Sequence, residues 1–533
     1  VYIFAQDRWI LKLEAGFFAK ERPALETPIP SEAGGRIGLG ELPPSVTTPR
    51  STRDQELFSQ APEEFPPMTG SLRGKAALAF LGTLLLLPAR PIQSADETAH
   101  WAAWRGPQGT GVAPGADPPV SWSEKENVRW AVEIPGSGTA SPVLHGERLF
   151  ILTAVPVPGA AARDGAAKEA EKEAPGKEGQ SDGERKGRRG RGGRGAPPDT
   201  PQRFEVLCLE RGTGNVRWRK VAREEKPHEG HHQDHGFASA SPVTDGEHLI
   251  ASFGSRGVFC YTLDGDLVWE KDLGDMKVKN SFGEGASPAL RGKTVVVNWD
   301  HEGGSFIVAL DKTTGKELWK KDRAEGSTWT TPVIVDGNGK TQVVVSATNR
   351  SRSYDLANGE LLWELKGQTD NVIPTPVAGN GLIYLTSGFR GAALQAVRLD
   401  KTAGDVTGSE AVVWQHGSAT PYVPSPLLYG ERIYFLSGNN GILSCHDART
   451  GKALYEKTRL PGVSGVYASL VGAAGRVYII GRDGGAVVLR DGPAFEVLAE
   501  NKLDDRFDAS PAVAGKQLFL RGHRRLYCLE KKA

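Results

Sequence analysis

A short phrase that recurs eight times constrains this chain more than any other feature. A small polar residue, usually followed by proline and an aliphatic residue, opens each unit: Ser141-Pro142-Val143, Ser241-Pro242-Val243, Ser287-Pro288-Ala289, Thr331-Pro332-Val333, Thr375-Pro376-Val377, Ser425-Pro426-Leu427, Ser469-Leu470-Val471 and Ser510-Pro511-Ala512. A glycine turn and an apolar strand follow. Next comes a strand that ends in an acidic turn such as Leu310-Asp311-Lys312-Thr313-Thr314-Gly315, and then an aromatic residue. That aromatic is Trp218, Trp269, Trp319, Trp363 and Trp414 in successive units, with Tyr455 in the sixth. From the second unit on, the openings lie 41 to 50 residues apart. About four short β-rich runs per unit at this period signal a propeller blade.

The eighth unit has only three strand-like runs, around Ala512, 518–520 and 526–529. Its missing outer strand, with its tryptophan, is found ahead of the first unit in residues 128–134, which include Trp130. A strand from the N-terminal side that completes the last blade closes the ring and removes an exposed sheet edge. The expectation is an all-β, eight-bladed propeller of four-stranded antiparallel blades over residues 128–533, with 96–127 as a lead-in strap. The six tryptophans Trp130, Trp218, Trp269, Trp319, Trp363 and Trp414 are read as docking one blade on the next.

Sixty-six glycines and 35 prolines suit many short strands and turns. A net charge of +1 argues against duplex DNA or another nucleic acid as partner. Cys208, Cys260, Cys445 and Cys528 occupy one equivalent strand position in their blades, so they are expected to be free, buried and too far apart to bridge.

Residues 1–67 share none of the repeat pattern and read as an upstream over-extension, or as a cytoplasmic tail on an uncleaved anchor. From Met68 the pattern is that of a secretory signal: Arg73 and Lys75, then about a dozen apolar residues from Ala76 to Leu87, then a polar stretch to Ala95. That run is too short to span a membrane. The mature chain is therefore expected to be extracytoplasmic, monomeric and without a transmembrane span. Residues 156–203 interrupt the first blade with a Lys/Glu/Gly tract and an Arg/Gly tract, a composition that cannot offset its ordering entropy.

Two loop sets of a propeller share one face: those joining successive blades, and those joining the second and third strands within a blade. They carry most of the unusual polar residues, so a site is expected there. His235, Asn280, Glu284, Asp300, His301, Trp329, Asn349, Arg352, Asn371 and Arg390 are expected to meet at one mouth of the channel. Their mixture of Arg, Asn and Trp suits an anionic or planar polar ligand. His228, His231, His232 and His235 form the densest metal-ligand cluster, which could bind Zn or Cu, although the spacing matches no standard zinc motif. No nucleophile with a paired base, phosphate loop or HExxH helix is visible.

The segment from Phe306 to Trp319, with Ala309-Leu310-Asp311, Thr314-Gly315 and the closing Trp, resembles the pyrroloquinoline-quinone (PQQ) propeller repeat. Quinoprotein alcohol dehydrogenases and BamB-like outer-membrane assembly factors share it. The resemblance covers roughly residues 100–530 and implies the propeller fold. It allows PQQ with calcium as cofactor, with Glu284, Asn280 and Asp300 as the nearest residue types to calcium ligands and a catalytic Asp. The adjacent-cysteine disulfide typical of those dehydrogenases is absent, as is a lipidation Cys. The expected function is an exported, non-catalytic scaffold for a protein, peptide or glycan, the alternative a PQQ-dependent oxidoreductase acting on alcohols or sugars.

Overall fold

The structure, a computed structural model, describes residues 100–158 and 196–532. The upstream segment, the expected leader and most of the first-blade insert lie outside the described residues. Among the described residues, thirty-three strands form eight sheets. The first blade comprises β2 (Val143–His145), β3 (Arg148–Pro156), β4 (Gln202–Glu210) and β5 (Val216–Glu225), numbered from the axis outward. Blades two and three are β6–β9 (243–271) and β10–β13 (289–322), and blade four begins with β14–β17 (333–365). Blade five is β18–β20 (377–398) with β22 (Val412–His416), blade six β23–β26 (427–459), and blade seven β27–β30 (471–502). The last blade joins β31–β33 (512–530) to β1 (Val128–Glu133), which pairs antiparallel with β33 from Val128 opposite Leu529 to Glu133 opposite Arg525. The innermost strand of blade one adjoins those of blades two and eight, so the ring is closed.

Apolar side chains gather between blades rather than within them. One cluster joins blades two and three through Val243, Ile250, Val295 and Trp299, another joins six and seven, and the largest runs across blades seven, eight and one. The four cysteines lie buried and free in third strands. Burial pushes the thiols of Cys208, Cys260 and Cys445 up to about 12.

The repeat has a double mechanical meaning. First, the outer-strand indole of one blade sits on the acidic turn of the next. Trp130, Trp218, Trp269, Trp319 and Trp414 donate Nε1–H to the carbonyls of Arg211, Leu263, Lys312, Leu356 and Ala448 at 2.7–3.0 Å. The turn glycines 214, 265, 315, 359 and 451 lie against those same indoles, at positive φ, where a Cβ would come within 2.6–2.8 Å of the ring. Second, the opening Ser or Thr builds a belt around the channel. Each backbone N–H donates to the hydroxyl of the next blade's opening residue, from Ser141 through Ser241, Ser287, Thr331, Thr375, Ser425 and Ser469 to Ser510, at 2.9–3.1 Å.

Blade four departs from four strands, and Trp363 from the docking pattern. Residues 399–411 replace the short acidic turn of blade five, and β21 (Gly404–Asp405) returns to pair parallel with β17 (Leu361–Leu365). Without that turn to dock on, Trp363 is fully buried and donates to Gln342 Oε1 at 2.7 Å.

Residues 100–127 run as a strap across the end of the ring that carries the first-to-second-strand turns. Trp101 pairs with Leu144 of blade one, Ala102 accepts from Thr244 of blade two, and Val112 bridges to Gly472 of blade seven. Buried Arg105 donates to the carbonyls of Leu470 and Pro426 at 2.8 Å, and desolvation lowers its pKa to about 9. Among the described residues no helix is long and apolar enough to cross a membrane.

Candidate functional site

A cavity of about 470 Å³ occupies the channel, within the range of small-ligand sites. Trp104 of the strap lines it from one end. The hydroxyl belt contributes Ser141, Ser241, Ser287, Ser469 and Ser510. Aromatic walls come from the loops of the opposite face: Phe282, Trp329, Phe389, Tyr422 and Tyr467. Phe389 and Tyr422 stack at 4.9 Å, and Trp329 donates Nε1–H to Gly283 O at 2.7 Å, which fixes its ring. The rim adds His232, His235, Asp234 and Asp508, and no lysine or arginine is among the described lining residues.

The long loop 226–242, between β5 and β6, reaches across the mouth. Asp234 pairs with Arg506 at 2.6 Å and Arg482 at 2.9 Å, and both arginines also bind Asp508, which His523 contacts at 2.9 Å. Arg482 lies 3.6 Å from the centre of the Tyr467 ring. Inter-blade loops and second-to-third-strand loops are thus tied together on one face, as the topology requires. Within loop 226–242, His235 donates Nδ1–H to Gly236 O at 2.9 Å and lines the cavity. Desolvation lowers its pKa to about 4, helped by its His neighbours, so the ring is neutral.

Of the ten residues expected to meet, the structure brings His235 and Trp329 to the channel cavity. Glu284 and Asp300 line a separate side pocket of about 50 Å³, room for a few waters, which Trp329 also borders. Half-buried Glu284 accepts from Ser255 N and Oγ, and its carboxylate occupies the space a side chain at Gly254 would need. Desolvation raises its pKa. Asp300 is spent on Arg323, at 2.6 and 3.0 Å with both side chains fully buried, and also accepts from Thr328. His301 accepts from Lys277 N and is buried, whereas Asn280 is exposed at φ 52°. Asn349 donates to Ala324 O, and Arg352 binds Glu325 and Glu364. Asn371 is buried and bonds Tyr422. Arg390 is exposed over Phe389. The expected anionic ligand loses its basis here, because neither arginine faces the cavity.

The four loop histidines do not assemble a metal centre. His228 donates to Met276 O, His231 to His232 O and His235 to Gly236 O, while His232 accepts from Asp234 N. Calcium ligation by Glu284, Asn280 and Asp300 is equally unsupported, since one is exposed and the other two are engaged. The lining does not fit PQQ either: no lysine or arginine lines the cavity to meet a polyanionic cofactor, and Arg482 and Arg506 beside the rim are spent on Asp234 and Asp508. The sequence reading passed over Asp234, Phe389 and Trp104 as site residues. For Asp234 the available signal was the length of its loop.

Fold and cavity define an eight-bladed propeller with a ligand-sized channel stoppered on one side. A family model described as outer membrane protein assembly factor BamB matches residues 263–491. A segment of 166 residues is 31% identical to the quinoprotein alcohol dehydrogenase PedH of Pseudomonas putida, covering 29% of this chain and 25% of that protein. The match therefore spans about a quarter of that relative's length. Among solved structures, BamB from Moraxella catarrhalis is 13% identical over 63% of this chain and 95% of its own, with a TM-score of 0.45. The quinohemoprotein alcohol dehydrogenase ADHIIG from Pseudomonas putida is 10% identical over 82% of each chain, with a TM-score of 0.48. Residues 263–491 thus carry the BamB-like PQQ propeller repeat, and a 166-residue segment is similar to part of a quinoprotein alcohol dehydrogenase.

Proposed function

We propose that this chain is an exported, non-catalytic binding propeller that takes a peptide or glycan, free or as part of a larger partner, in the channel cavity. The observation that carries the reading is the lining itself. Flat aromatic faces suit sugar rings and apolar side chains, while the serine hydroxyls and a neutral imidazole serve a ligand rich in O–H and N–H groups. A lining without lysine or arginine gives a polyanion no partner. A scaffold role accords with the assembly-factor description of the matching family model, and export with the leader expected from Met68 to Ala95.

Trp104 and Trp329 make the cavity its own reporter. The full chain is titrated with malto-, cello- and chito-oligosaccharides and with an unstructured peptide library while tryptophan emission is followed. One class should quench saturably, and Trp329→Ala should weaken it by at least about tenfold, the scale of losing one stacking aromatic. Stoichiometric uptake of PQQ with calcium, accompanied by dye reduction with an alcohol, would replace this reading with the oxidoreductase.

A further inference from the structure

Away from the channel, at the junction of blades five and six, two imidazoles and a carboxylate converge without any role in the fold's repeat. His416 ends β22, the outer strand of blade five, two residues past the docked Trp414 and on the same face. His446 and Glu456 belong to β25 (Ile442–Asp447) and β26 (Ala453–Arg459) of blade six. His446 Nε2 lies 3.0 Å from Glu456 Oε1, and His416 Nε2 lies 3.9 Å from the same oxygen. All three donor atoms fall within 4.8 Å of one another. The rings stand nearly perpendicular, at 82°, with centroids 4.9 Å apart, and Phe435 packs on both.

We propose that His416, His446 and Glu456 form a Zn²⁺-class metal site that clasps blade five to blade six. Nitrogen and oxygen ligands about 2.0–2.1 Å from a tetrahedral ion stand about 3.3 Å apart, so the observed 3.0 and 3.9 Å separations need only small side-chain shifts. Two imidazoles with one carboxylate select a borderline ion such as Zn²⁺ or Cu²⁺ over Ca²⁺ or Mg²⁺, which prefer all-oxygen shells. His446 is buried and held by blade six, His416 is half-buried and Glu456 reaches solvent, so an ion can enter from outside and keep water as its fourth ligand. Ser418 Oγ, 3.3 Å from His416 Nε2, must yield that contact to the ion. The other carboxylate–histidine group among the described residues, Asp245 with Glu247 and His248, is already neutralised by Lys312 and lacks this pair of imidazoles.

The test uses untagged full chain, stripped with EDTA, and titrated with Co²⁺ for its visible bands and with Zn²⁺ in competition with a chromogenic chelator. One equivalent should bind, and the melting temperature should rise with Zn²⁺ as mass action requires. His416→Ala and Glu456→Gln should each lower affinity at least about tenfold and abolish the thermal shift, while melting like the parent in EDTA. His231→Ala with His232→Ala should leave binding intact. Binding indifferent to the first two variants, or lost in the loop double variant, would overturn the proposal.

Discussion

Gly315→Ala isolates the contact by which one blade recognises the next. Gly315 has φ 68°, and a Cβ there would lie 2.7 Å from Trp269 Cδ2. Gly292, in the first turn of the same blade, has φ 59° and nothing within 4 Å of its Cβ position. Both alanines incur the left-handed backbone cost, about 1–2 kcal/mol. Only Gly315→Ala also displaces the indole, adding about 1–3 kcal/mol of overpacking. The bond from Trp269 Nε1 to Lys312 O, 2.7 Å in the parent, is then strained or lost, a further net loss of about 1 kcal/mol. The expectation is about 1–2 kcal/mol for Gly292→Ala and at least about 2 kcal/mol more for Gly315→Ala. Urea unfolding followed by circular dichroism and tryptophan emission measures both. Combining Gly315→Ala with Trp269→Leu should be strongly non-additive, because the smaller side chain leaves room for the new methyl. Equal losses in the two glycine variants would mean that the turn's positive φ, not docking of the indole, explains glycine at this place in the repeat.

Ser287→Ala removes the acceptor for the buried N–H of Ser241 and should cost about 1–3 kcal/mol in the same unfolding assay. Ser287→Thr should stay within about 0.5 kcal/mol, since Thr331 and Thr375 fill the same place natively; a costly threonine would refute the belt as its role. His235, whose folded pKa of about 4 lies below the unfolded value near 6.5, gives a pH signature. Protonation then favours the unfolded chain, so the His235 contribution is intact above about pH 6.5, is lost progressively down to about pH 4, and changes no further below that. His235→Gln should flatten that part of the melting-temperature profile, and an unchanged slope would place the titration elsewhere.

The ring was legible because each blade repeats local rules: the glycine turn, the acidic turn and the indole lie within one period, and the strand 128–134 supplies what the last blade lacks. The docking exception at Trp363 was not legible in the same way, because it depends on the next blade's turn being replaced by residues 399–411. For the site, loop membership told which face a residue occupies but not its distance from the axis. Arg352 stands next to a loop of the correct set, in β16, where cross-strand register places it opposite Glu364, and it pairs outward with that residue and with Glu325. Asp234 shows the converse. Its partners Arg482 and Arg506 are more than 240 residues away, and only closure of the ring brings blade seven within reach of the loop before blade two. In such a ring, sequence position fixes the angle at which a residue stands, while loop length fixes how far inward it can travel. The 226–242 loop is long enough to cross the mouth, and that length, rather than its histidines, was the informative signal. The chemistry that the proposed ligand would meet therefore lies where long loops meet the serine belt.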